Sequence, residues 1–207
     1  MNKNRLEALS DGVFAIVMTL LVIEIHVPEL IDPSSADLWH GLVHLAPLFA
    51  SYVVSFTVLM MYWTSHHAMY HMFLKNVDRT LVQLNGLYLM SLSLIPFSSH
   101  FVGSYPTQPF AIALYGGHIV IQGVIAYIIL KYVLSSKQLE KHDISSRTIA
   151  QARIRAIITP AFACLGVLAG FTPLYWLSYV LFMFPVIFNL IPGSLNWTER
   201  KLGITIS

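Results

Sequence analysis

Apolar residues run along this chain in long, nearly unbroken stretches, with none of the strict alternation of a half-buried strand. A bilayer core about 30 Å thick takes roughly 20 mainly apolar residues to cross as a helix. Six stretches fit that length: 12–27, 38–64, 81–101, 110–134, 156–171 and 174–191. The first, fifth and sixth stand near the lower limit. Thr172-Pro173 leaves almost no connection between the last two, and Pro185 and Pro192 make the last one irregular. The pattern predicts an all-α integral membrane protein with six transmembrane helices, and a single domain over 1–207. No internal repeat and no low-complexity tract interrupts it.

Composition agrees with the pattern. Hydrophobic residues make up 56% of the 207 and charged residues 11%, against about 25% charged in soluble domains. Mean hydropathy is +0.67. So thin a charged surface excludes a soluble domain, a disordered chain and a nucleic-acid-binding module. The lone Cys164 can form no internal disulfide. A basic start followed by an apolar run resembles a signal peptide. Glu24 and His26, however, stand where a small-residue cleavage site belongs, so the first segment is expected to be retained.

The net charge of +2 says little until it is divided by side. Six spans put all 12 Lys and Arg on one side: Lys3, Arg5, Lys75, Arg79, Lys131, Lys137, Lys141, Arg147, Arg153, Arg155, Arg200 and Lys201. Positive loops stay inside, so both termini are expected in the cytoplasm. Lys131 to Arg155 mixes acids with bases and reads as a solvated linker touching anionic headgroups. The other side carries Glu24, Glu29, Asp32 and Asp37 and no base. An acidic mouth, with Glu24 and Glu29 nearest the first helix, concentrates cations. Loops from which bases are excluded also need polar residues, so the acids alone do not establish a mouth.

On the first helix, Gly12, Ile16, Thr19, Leu20, Ile23 and Val27 recur every three or four residues and form one narrow stripe. Asp11 lies about 140° around from Ile16, and Ser10 about 120° on the other side. With the stripe turned to an axis, Asp11 points into the protein, where a carboxylate needs a partner. Stripes of this kind also serve plain helix packing, and periodicity does not choose between the two uses.

The residues around the stripe are more specific. Arg5-x-x-x-Leu9-Ser10-Asp11-Gly12 resembles the Arg-x-x-x-Phe-Ser-Asp that opens the first helix of the transmembrane protein 175 potassium-channel family, with Leu9 in place of Phe. Trp63-x-x-His66-His67-x-x-Tyr70, and Arg79-x-x-x-x-Leu84-Asn85 with Ile95-Pro96-Phe97, are similar to that family's second and third helices. The resemblance covers the first half of the chain at specific positions. It implies a passive, potassium-permeable channel, assembled as a homotetramer around four copies of the first helix. It further implies a multi-pass place in a bacterial or archaeal cell membrane. Potassium and other monovalent cations would be the permeant species. Carried over from the Ser-Asp anchor, the constriction would consist of Ile16, Thr19 or Leu20, and Ile23, the residues periodicity places on one stripe. Arg5, Ser10, Asp11, His67 and Asn85 are then expected to form a buried polar network that holds the helices in register.

Nine histidines raise the question of a metal. His67 and His71 stand four apart on one helix face, a ligand spacing. His100 falls near the outer side and His118 inside the fourth span, so the set is split across the bilayer. No metal, no other cofactor and no enzymatic activity are therefore expected. A carbonyl filter and a voltage sensor are excluded, because there is no TVGYG-like loop and no arginine series in the fourth span. The alternative is a secondary transporter with a midplane substrate site between broken helices. Pro160 and Pro185 are its only support.

Overall fold

A computed structural model describes residues 2–27, 29, 34–140 and 142–190. Asp32, Lys141, Pro192, Glu199, Arg200 and Lys201 lie outside the described residues. The described chain folds into helices α1 (Lys3–Ile23), α2 (Ser35–His44), α3 (Ala46–Phe73), α4 (Arg79–Leu92), α5 (Ile95–Ser104), α6 (Pro109–Ser135), α7 (Ser146–Gly170) and α8 (Trp176–Leu190). Among the described residues there is no β-strand. Among the described residues, five segments are long and apolar enough to cross a membrane: α1, α3, α4 with α5 (Arg79–Ser104), α6 and α7. The fifteen residues of α8 are also apolar but rise only about 22 Å.

The element boundaries depart from the apolar stretches for identifiable reasons. The expected span 38–64 is divided at Leu45: a capping box of Ser34 and Asp37 starts α2, which ends at His44. Pro47 then stands in the first turn of α3, where its missing N–H costs nothing. The Ser34 bonds hold the Asp37 carboxyl below its usual range. At the other end α3 continues through Ser65-His66-His67 to Phe73, past the point where hydropathy falls. α1 likewise begins at Lys3, nine residues before its apolar stretch, with Asn2 as its cap. α4 and α5 break at Ser93-Leu94, and Pro96 sits in the first turn of α5. Asp78 caps α4 by accepting from the Leu81 amide at 2.8 Å, and its other oxygen accepts from the Tyr132 hydroxyl.

Two sets of helix ends gather at opposite ends of the bundle. Lys3 Nζ donates to the Leu74 carbonyl at 2.8 Å, Lys75 N to Glu140 O at 2.8 Å, and His142 N to Phe73 O at 3.3 Å. The start of α1, the α3–α4 turn and the α6–α7 connection therefore meet, and the basic residues among them share one end. At the other end Glu24, just after α1, lies 3.9 Å from His100 on α5. The Tyr179 hydroxyl of α8 donates to Pro106 O at 2.7 Å.

Packing of α6, α7 and α8 depends on small residues, as is usual where no water drives helices together. Gly116 and Gly166 leave room for the Phe182 ring, and a Cβ on Gly166 would land on that ring. Gly166→Ala should destabilise the fold by about 1–3 kcal/mol. A thermal unfolding midpoint in detergent equal to that of the unaltered chain would show that the ring moves aside freely.

Candidate ion pathway

The two faces of α1 differ sharply. Leu6, Ser10, Phe14, Val17 and Leu21 are buried against α3, α4 and α5. The opposite face carries Ile16 (59% exposed), Leu20 (40%) and Ile23 (63%), with Gly12 and Thr19 also exposed or half-exposed. The apolar stripe read from the sequence is thus unpartnered among the described residues. Its exposure runs for about three turns, from Gly12 to Ile23. The Thr19 hydroxyl donates to the carbonyls of Ala15 (3.1 Å) and Ile16 (2.8 Å). With its proton held by its own backbone, that oxygen turns only lone pairs outward.

Behind the stripe lies a closed polar chain. Ser10 Oγ donates to Leu6 O at 2.9 Å and accepts from Asn85 Nδ2 at 3.0 Å. Asn85 Oδ1 lies 2.8 Å from His66 Nε2. All three side chains are buried, and the His66 ring stacks on Tyr70 and Tyr88 at centroid distances of 4.5 and 5.4 Å. α1, α3 and α4 are pinned to one another at a single height. The histidine of this polar chain is His66. Its neighbour His67 is exposed and stacks between Trp63 and His71, so the expected grouping of His67 with Asn85 is not formed.

Asp11 stands apart from that chain and accepts instead from Trp63 Nε1 at 2.9 Å. Trp63→Phe removes that donor, together with part of the ring stacked on His67, and should cost about 1.5–3 kcal/mol, the range for a bond to a charged group. An unchanged unfolding midpoint would show that Asp11 is satisfied elsewhere. Arg5 is exposed in the first turns of α1 and forms no ion pair among the described residues. Of the expected network, the structure joins Ser10 and Asn85 and leaves Arg5, Asp11 and His67 outside the buried chain.

At the end of the bundle away from the basic residues, Glu24 is half-buried and Glu29 exposed. His26 Nδ1 lies 3.0 Å from Glu24 O, and its ring meets His100 edge-on at 6.4 Å. Among the described residues no three His, Cys, Asp or Glu side chains are grouped to hold a metal ion.

The sequence profile of the family described as "Endosomal/lysosomal potassium channel TMEM175" matches residues 5–96. A protein of Chryseobacterium sp. (strain P1-3), named a potassium channel, is 31% identical over 171 residues, which is 83% of this chain and 84% of its own length. The chain belongs to the TMEM175 family. A Streptomyces collinus relative, also named a potassium channel, is 43% identical over 101 residues, 49% of this chain and 48% of that one. The crystal structure of a lysosomal potassium-selective channel TMEM175 homolog from Chamaesiphon minutus superposes with a TM-score of 0.78. It covers 90% of this chain and 95% of its own at 24% identity, which establishes the TMEM175 fold. The profile match takes in α1, the polar chain and the Trp63–Asp11 bond together.

Proposed function

We propose that four copies of this chain surround a pore lined by the exposed stripe of α1, through which potassium passes down its gradient. The observation that carries this reading is the stripe itself. It is apolar and three turns long, and it is left bare by a chain that buries the opposite face of the same helix. A single subunit also leaves Asp11 exposed at mid-helix, with one oxygen on Trp63. A carboxylate facing lipid is costly, and a neighbouring subunit removes that cost. Names of the bacterial relatives supply the ion.

In this reading the chain is one domain of six spans, with α8 as the sixth. Both termini lie in the cytoplasm of a bacterial or archaeal cell, on the side where the basic helix ends gather. Ile16 and Ile23 form apolar rings that hold the pore dry when they meet on the axis. Between them the Thr19 oxygens offer lone pairs to a partly dehydrated cation. Potassium gives up water more readily than sodium, so a narrow passage with few ligands favours it. Glu24 and Glu29 raise the cation concentration at the outer entrance. Ser10, Asn85 and His66 fix the height of α1, while Asp11 with Trp63, and Arg5, serve contacts between subunits. No cofactor takes part, and the chain is not an enzyme.

Purified protein in liposomes with a potassium gradient tests the proposal. The expected result is a current that reverses near the potassium potential and grows linearly with gradient. Saturable exchange without a current would instead identify a transporter.

A further inference from the structure

A cavity of about 280 Å³ lies between α3, α6, α7 and the end of α8, away from the exposed stripe of α1. Met61, Met69 and Met72 of α3 with Ile129 and Leu130 of α6 give it an apolar wall. Methionines are unbranched and adapt to flexible apolar guests. The facing stripe of α7 is polar: Thr148, Gln151 and Arg155 recur at i, i+3 and i+7 and all line the cavity. Arg155 is half-buried there. Its Nη1 makes a long, 3.5 Å contact with Asn189 O, and among the described residues no carboxylate pairs with it. A guanidinium has five donors in a fork suited to phosphate. So poorly satisfied a guanidinium near the basic end of α7 has donors left for an anionic ligand.

We propose that this cavity holds one acyl chain of an anionic phospholipid, with the lipid phosphate on Arg155 and the headgroup near Gln151 and Thr148. Charge and position both support that occupant. The cavity lining extends through Met72, Phe73 and Thr148 to the end of the bundle where the basic residues gather, and anionic headgroups concentrate beside such clusters. His66 and Tyr88 also line the cavity, and His66 is bonded to Asn85, which holds Ser10 on α1. Lipid occupancy therefore bears on the height of the pore helix, a consequence that rests on the proposed pore; the binding site itself does not.

Native mass spectrometry of the full chain after delipidation, with phosphatidylglycerol or phosphatidylcholine added back, tests the site. The unaltered chain should retain phosphatidylglycerol in preference. Arg155→Gln should weaken that retention about tenfold, the loss expected for a charge-assisted contact, and weaken phosphatidylcholine less, because its choline already offsets the phosphate charge. Arg155→Lys should keep most of the preference. Ala152→Phe, which fills the cavity, should reduce retention of both lipids, and Arg153→Gln on the exposed side of α7 should change neither. Equal retention of the two lipids by the unaltered chain, or an undiminished preference in Arg155→Gln, overturns the proposal. Because binding is read without current, a failure here is separate from a failure of the pore.

Discussion

Replacing Ile16 with asparagine is expected to raise single-channel conductance and shift the reversal potential in mixed potassium and sodium toward zero. Ile16 is the first large side chain on the bare stripe, and four copies at the axis would leave water no partner. Asparagine brings an amide that binds water and replaces part of an ion's hydration shell. Lowering the barrier by about 1.4 kcal/mol increases the current about tenfold. The same ligands serve sodium, so preference declines as current rises. Val17→Asn, one position along but on the buried face of α1, should impair folding instead of conduction. Unaltered conductance and selectivity in Ile16→Asn would remove the residue from the constriction.

Asn85→Ala is expected to have the largest effect on stability. Asn85 is fully buried and bridges Ser10 to His66. Alanine there strands a histidine nitrogen and removes the donor to the serine hydroxyl, at about 1–3 kcal/mol for each buried group left unmade. The variant should unfold several degrees earlier in detergent and lose any tetramer on size-exclusion chromatography. A triple variant separates hydrogen bonding from packing. Ser10→Ala, Asn85→Leu and His66→Phe together make the whole chain of contacts apolar, and removing both partners of a buried bond can be nearly neutral. The triple variant should therefore be more stable than Asn85→Ala alone. If it is less stable, the shape of these side chains matters more than their bonds.

How much of the fold and the pathway is legible in the sequence depends on which physical signal each feature leaves in the chain. Apolar length gives the spans, and α6 at 109–135 differs from its stretch by one residue at each end. The α2–α3 division reflects a capping box just before the apolar stretch and a proline inside it, and hydropathy registers neither. The stripe of α1 is readable because small and branched side chains repeat on one face. His66 and His67 are harder to separate, being adjacent in one motif and about 100° apart on a helix. The buried positions of α3 provide a signal that decides between them. Ser51, Ser55, Leu59, Tyr62, His66, Tyr70 and Phe73 repeat at helical spacing, and His67 falls off that line. The cavity beside Arg155 leaves a fainter trace, since the spacing of Thr148, Gln151 and Arg155 does not say which helix they face. Only the packing of α3 and α6 against them encloses the space.

Cysteine accessibility along α1 tests the central proposal most directly. The exposed Cys164 is first changed to serine. Single cysteines are then placed from Leu9 to Ile23, and a charged, membrane-impermeant thiol reagent is applied while current is recorded. Modification should block the current at Gly12, Ile16, Thr19, Leu20 and Ile23, which a water-filled axis exposes. It should leave the current untouched at Phe14, Val17 and Leu21, which pack against α3 to α5. Block at the second set, or no block at Ile16 and Ile23, would contradict a pore lined by this face of α1.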